Sequence, residues 1–155
     1  MNSLFIKKHF LQIITIILLL IFLVPPQLRA QTYARNGMVS SSSMIASEVG
    51  RDILKQGGNA IDAAVATAFA LAVTWPSAGN IGGGGFLVFM NDKAEVTTID
   101  FREKAPINAS SKMFLDKDGN IFNDSNHTGA LSIGVPGTVA GLYLAHQKYG
   151  KLRWD

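Results

Sequence analysis

Trp75-Pro76-Ser77-Ala78-Gly79-Asn80-Ile81-Gly82-Gly83-Gly84-Gly85-Phe86 joins an apolar run of helical character to an apolar run of strand character. Glycine loses more backbone freedom on folding than any other residue. Four in a row therefore mark positions that need a positive φ or a close approach of backbone to backbone or to a ligand. A phosphate cradle is the first rival reading. It requires a strand before the glycines and a helix after them, and a P-loop adds Lys followed by Ser or Thr. Here the order is reversed, with residues 60–73 helical and 86–90 extended, so nucleotide binding is set aside.

Upstream of the loop, residues 38–41 read as a β start and residues 43–56 as a helix stopped by Gly57-Gly58. Helical spacing of Ile45, Val49, Ile53 and Leu54 predicts the buried face, leaving Glu48, Arg51, Asp52 and Lys55 for solvent. The helix over 60–73 has Asn59 at its N-cap position and Asp62 near its positive end. It is apolar on every side, which predicts a layer buried between others, with Ala63, Ala64, Ala66, Ala68 and Ala70 permitting close approach. Glycines 82–85 then serve to bring this helix and the next strand together. Downstream, 86–90 and 95–100 predict a hairpin across Asn91-Asp92-Lys93. Residues 107–131 are polar and irregular, with a tight turn at 116–120. A last helix is predicted over 138–149, its start set by Pro136-Gly137 and its end by Gly150.

Asp100-Phe101-Arg102-Glu103-Lys104-Ala105-Pro106 sets one arginine between the second strand and a proline-stopped loop. A guanidinium is charged at any working pH and presents a fixed fork of donors, so Arg102 suits a bidentate grip on a small carboxylate. The plainer alternative is a surface arginine paired in water with Asp100 or Glu103, worth under about 1 kcal/mol. Other chemistry finds little support. Asp116, Asp118 and Asn120 have the spacing of a calcium loop, but His127 stands where the loop's glutamate belongs. His127 and His146 lie apart from each other and from any carboxylate at ligand spacing, which favours structural or solvent roles. No Gly-x-Ser-x-Gly elbow occurs, and the chain has no cysteine.

Taken with Gly134-Val135-Pro136-Gly137-Thr138-Val139-Ala140-Gly141 and Gly57-Gly58-Asn59-Ala60-Ile61-Asp62-Ala63-Ala64-Val65-Ala66, the glycine loop and Arg102 make the chain resemble the N-terminal part of the large subunit of gamma-glutamyltranspeptidases, from about Gly37 to Trp154. The resemblance implies an α+β fold, the αββα sandwich of N-terminal-nucleophile hydrolases, of which residues 31–155 supply an incomplete domain. It implies self-cleavage into two subunits, with the new N-terminal threonine of the small subunit attacking gamma-glutamyl compounds such as glutathione. Water or amino acids serve as acceptors. Arg102 is cast as the group that binds the donor's α-carboxylate, with Glu103 in a weaker, supporting part. No catalytic residue, cofactor or metal is implied within these residues. Related acylases or capsule transpeptidases, and an inactive secreted fragment, are the alternatives. The threonine lies downstream in the family, so residues 38–155 alone are expected to be inactive and incompletely folded.

Residues 1–30 read as a secretory signal, with Lys7-Lys8, an apolar core over 10–24 and the ending Leu28-Arg29-Ala30. The core stops at Pro25-Pro26, short of the roughly 20 apolar residues that span a bilayer, which favours cleavage over anchoring. The whole chain carries 14 basic and 11 acidic residues; losing Lys7, Lys8 and Arg29 leaves 11 against 11, with no basic stripe for nucleic acid. Export to the periplasm or beyond the cell is the expectation. The mature chain should begin within a few residues of Gln31, as N-terminal sequencing of exported material would show. A retained Met1 in the membrane fraction would reveal an anchor.

Overall fold

A computed structural model describes residues 9, 13–17 and 33–154. The chain divides into two compact units, Met1–Asn36 and Gly37–Asp155. In the first, residues 9 and 13–17 are helical; the rest of the expected signal lies outside the described residues. No helix among the described residues is long and apolar enough to cross a membrane.

The second unit runs α1 (Met44–Lys55), α2 (Ala60–Thr74), β1 (Phe86–Met90), β2 (Val96–Asp100), a 3-10 turn (Ala130–Ser132) and α3 (Thr138–Tyr149). Helices beside a two-stranded antiparallel sheet give an α+β architecture. The strand expected at 38–41 does not form: these residues are irregular and join neither edge of the β1–β2 sheet.

Ser43 caps α1 by accepting the Ala46 N–H at 3.4 Å. The buried face of α1 differs from the one its large apolar residues predict. Ala46 and Gly50 are buried, while Ile45 is 59% exposed. Close approach decides this: a Cβ on Gly50 would overlap Thr67 Oγ1 and lie 3.1 Å from the Ala63 carbonyl of α2. The seam between α1 and α2 is thus built from small residues, and Ile53 and Leu54 are only half-buried. On the outer face Arg51 and Lys55 reach Asp52 at 3.1 and 3.4 Å, as the spacing predicts. The hydrogen bond from Arg51 holds the Asp52 carboxyl below its ordinary value of 3.8, so this pairing is complete above that pH and fades as pH falls through the lowered value.

α2 opens with a capping box in which Asn59 accepts the N–H groups of Ile61 and Asp62, and Asp62 accepts that of Asn59. Its N-terminal half is buried through Ile61, Asp62, Ala63, Val65 and Thr67, whereas Val73 is 80% exposed. The all-round burial expected of this helix is therefore not met among the described residues: Ala64 and Val73 are exposed, and most of the second half is only half-buried. Ile61 and Val65 meet Ile99 of β2 and Leu142 and Ala145 of α3, flanked by Phe69, Leu87, Phe89, Phe101 and Tyr149. The opposite hairpin face, with Phe86, Val88, Met90 and Val96, is exposed.

Two turns follow from single side chains. Asn91 Oδ1 accepts the N–H groups of Lys93 and Glu95, so β2 starts at Val96 rather than at 95. Asp116 Oδ1 accepts those of Asp118 and Asn120, both at 2.9 Å, which accounts for this carboxylate as a turn-former.

Asp62 is 4% exposed and ties the start of α2 to the end of α3. Besides the Asn59 N–H at 2.7 Å, its carboxylate accepts the N–H groups of Lys151 at 3.0 Å and Leu152 at 3.3 Å, and lies 3.3 Å from His146 Nε2. Asn59 Nδ2 adds a 2.6 Å bond to the Tyr149 carbonyl. Removing this carboxylate strands several buried donors at once. Asp62→Ala should cost about 3 to 5 kcal/mol, read as a lower denaturant midpoint of the full-length protein, while Asp52→Ala on the water-facing side of α1 should leave the midpoint unchanged.

Candidate functional site

Arg102 lies two residues past the end of β2, and the hairpin ladder continues into its segment. The Phe101 N–H donates to the Gly85 carbonyl at 3.0 Å, and the Gly85 N–H donates back to the Phe101 carbonyl at 3.4 Å. Two glycine-containing segments then close around this backbone. A Cβ on Gly84 would lie 2.7 Å from Arg102 Cα, from the Glu103 nitrogen and from the Phe101 oxygen. A Cβ on Gly137 would overlap the Phe101 carbonyl and lie 3.1 Å from the Arg102 oxygen. Gly141 is pressed against the Phe101 ring, and a Cβ on Gly134 would lie 3.0 Å from that of Glu103. Larger residues would push the Phe101–Arg102–Glu103 backbone out of place.

Hydrogen bonds lock the two segments together. The Gly83 carbonyl accepts the Gly137 and Thr138 N–H groups at 2.8 and 3.0 Å, so a backbone oxygen occupies the start of α3. Asn80 Oδ1 accepts the Gly83 N–H at 2.7 Å and the Thr138 hydroxyl at 3.1 Å. Lys104 and Val135 exchange backbone bonds of 3.1 and 2.8 Å beyond the clamp. The role expected of the glycine loop is therefore revised: Gly84 and Gly85 approach the end of β2, and Gly79, pressed on the Leu71 carbonyl, is the glycine that approaches α2.

Within this frame the Arg102 side chain is exposed. The Arg102 main-chain N–H donates to Asp100 Oδ1 at 3.0 Å, and the guanidinium carbon lies 6.0 Å from the centre of the Phe86 ring. Among the described residues it forms no ion pair with Asp100 or Glu103, the partners of the plainer alternative. Arg102 and Lys104 help to line a cleft of about 270 Å³ with Asp100, Phe101, Val135, Pro136 and Leu144. Its chemistry is that of a partly apolar recess with two cationic side chains and one carboxylate, whose Oδ1 is occupied by the Arg102 main-chain N–H. Glu103 is exposed beside it, with its carbon stem against Gly134.

The histidines have carboxylate neighbours that sequence spacing did not reveal. His127 Nδ1 lies 3.0 Å from exposed Asp124, and His146 is wedged between Asp62 and the Trp154 ring, 5.1 Å away. The first contact is exposed and the second joins the end of α3 to the start of α2, and no group of three potential metal ligands occurs among the described residues. Asn80, Thr138 and Phe86 are the residues of the site that sequence reasoning missed. Asn80 stood inside the quoted loop, but its partner Thr138 is distant in sequence, and the ring of Phe86 read as a strand residue only.

Over residues 46–155 the chain matches the family model described as gamma-glutamyltranspeptidase. It is 55% identical over 122 residues to the glutathione hydrolase proenzyme of Pseudomonas sp. strain A14, covering 79% of this chain and 21% of that protein. The chain thus spans about a fifth of the length of the curated relatives it matches. Among solved structures it superposes on Helicobacter pylori gamma-glutamyltranspeptidase with a TM-score of 0.74 at 52% identity, covering 79% of this chain and 35% of that one. The Pseudomonas nitroreducens enzyme complexed with L-DON gives 0.72 at 48%, covering 79% and 36%. The expected α+β fold is that of the corresponding part of these enzymes. With its glycine clamp, its arginine and its matched residues, the chain belongs to the gamma-glutamyltranspeptidase family.

Proposed function

We propose that this chain supplies the donor-carboxylate clamp of an enzyme that transfers gamma-glutamyl groups and hydrolyses glutathione. The observation that carries the reading is the state of Arg102: its main chain is clamped on both sides by glycines, yet its guanidinium is engaged by no acidic side chain among the described residues. An arginine held in this way keeps both N–H pairs of its fork free for the α-carboxylate of a gamma-glutamyl donor. Glu103, next in sequence, takes a lesser supporting part.

In this reading the nucleophile is a threonine of the small subunit, outside residues 1–155. Its hydroxyl attacks the gamma-carbonyl while its own α-amino group takes the proton. The tetrahedral oxyanion collapses with loss of the amine, which receives that proton, and an acyl-enzyme remains for water or an amino acid to resolve. Arg102 acts before these steps by fixing the donor at the end opposite the reacting carbonyl, and positioning of this kind lowers the entropic part of the barrier. The chemistry uses no cofactor. Residues 1–30 direct the protein to the periplasm or the exterior. Acylase and capsule-transpeptidase readings share the scaffold, and a glutaryl-type acyl donor would satisfy the same fork. No observation within the described residues favours either.

The test is Arg102→Ala in the full-length enzyme. Losing one partner of a desolvated charge pair costs about 2 to 5 kcal/mol, so kcat/KM should fall roughly thirty-fold to several thousand-fold. Arg102→Lys should recover part of this, since a point charge cannot make two parallel bonds. Self-cleavage involves no donor carboxylate and should persist in both variants on a gel. A processed Arg102→Ala enzyme with undiminished preference for donors that keep the α-carboxylate would overturn the proposal.

A further inference from the structure

The hairpin places an aromatic ring outside the core formed by the described residues. Phe86 pairs with Asp100 in the β1–β2 register and lies on the outer face with Val88, Met90 and Val96, 65% exposed. The inner face, with Leu87, Phe89 and Ile99, is the one that packs on the core. The Phe86 ring instead has the Arg102 guanidinium carbon over it, at 6.0 Å from its centroid, the outer limit at which a ring face attracts a cation appreciably. Asp100, opposite Phe86 in the ladder, spends a carboxylate oxygen on the Arg102 main-chain N–H at 3.0 Å rather than on its guanidinium.

That division of labour has a chemical consequence. A carboxylate holding the guanidinium would occupy its N–H donors and compete with an incoming anion. A ring face attracts the delocalised charge and consumes none of the five donors. It also limits the rotamers of a long side chain before any substrate arrives. We infer that Phe86 is a positioning residue for Arg102, its ring holding the guanidinium so that the donor fork is available to a carboxylate-bearing substrate. The inference rests on the reading of Arg102 as the donor-carboxylate clamp.

The experiment replaces Phe86 in the full-length enzyme with mono-, di- and trifluorinated phenylalanines, which keep the ring's shape while draining the negative charge of its face. Phe86→Leu and Phe86→Tyr accompany them. Two gamma-glutamyl anilide donors are compared, one with a free α-carboxylate and one with that group converted to an amide. For the carboxylate donor, KM should rise stepwise with fluorine number, reaching about two- to five-fold at Phe86→Leu, with kcat unchanged and wild-type KM restored by Phe86→Tyr. For the amide donor, KM should stay constant throughout. A KM independent of fluorination, or an equal shift for both donors, would overturn the inference even if Phe86→Leu fails to fold. Arg102→Ala assayed in parallel separates the two ideas. If it erases the preference for the carboxylate donor while fluorination changes nothing, only the role of Phe86 falls. If it leaves the preference intact, the reading of Arg102 falls and this inference with it.

Discussion

Everything near Arg102 depends on one steric constraint, the passage of the Phe101–Arg102 backbone between Gly84 and Gly137. On either side a single added carbon would meet main-chain atoms, which cannot swing away as a side chain would. The contact orients a peptide rather than a side chain, so the start of the Arg102 side chain is fixed before any partner engages its head. Hydrogen bonds from Gly137 and Thr138 to the Gly83 carbonyl keep the two walls at this separation, and Asn80 bonds both of them. A binding group that must act within a fraction of an ångström needs such a frame.

The frame is carried by α3, which is tied at both ends. Its first turn is held by Gly83, and its last by the buried Asp62 carboxylate and by Asn59 at the start of α2. Between these ties Leu142 and Ala145 pack on Ile61, Val65 and Ile99, linking α2, α3 and the hairpin in one apolar cluster. A disturbance at Asp62 therefore acts on the helix whose other end forms one wall of the Arg102 clamp. Stability and site geometry share the same helix, while the ion pairs around Asp52 face water and bear on neither.

Local signals were read well where local chemistry decides the outcome. Asn59 and the positive-φ Gly57 bound the helices as their capping chemistry requires, Gly150 ends α3 with an ordinary extended backbone packed close to the His146 carbonyl and Asp62, and Asn91 with Asp116 shapes the turns. Arg102 is legible as a candidate because a proline-stopped loop after a strand is a place for a binding side chain, the part proposed for it. Apart from the Asp124–His127 contact, three residues apart, the main misses are matters of distance in sequence. Periodicity chose Ile45 and Val49 as the inner face of α1, but the approach of α2 admits only Ala46 and Gly50 there. The Asp62–His146, Asn80–Thr138 and Phe86–Arg102 contacts join residues that only the fold brings together. The glycine loop was read as structural, but which backbone it would approach is a tertiary fact.

A crystal structure of the full-length, self-cleaved protein with an unreactive gamma-glutamyl analogue tests the central claim most directly. The account predicts two parallel N–H···O bonds of about 2.7 to 2.9 Å from the Arg102 guanidinium to the α-carboxylate, with the Phe101–Arg102 backbone unmoved between Gly84 and Gly137. A carboxylate held by other groups, with Arg102 turned to solvent, would contradict it.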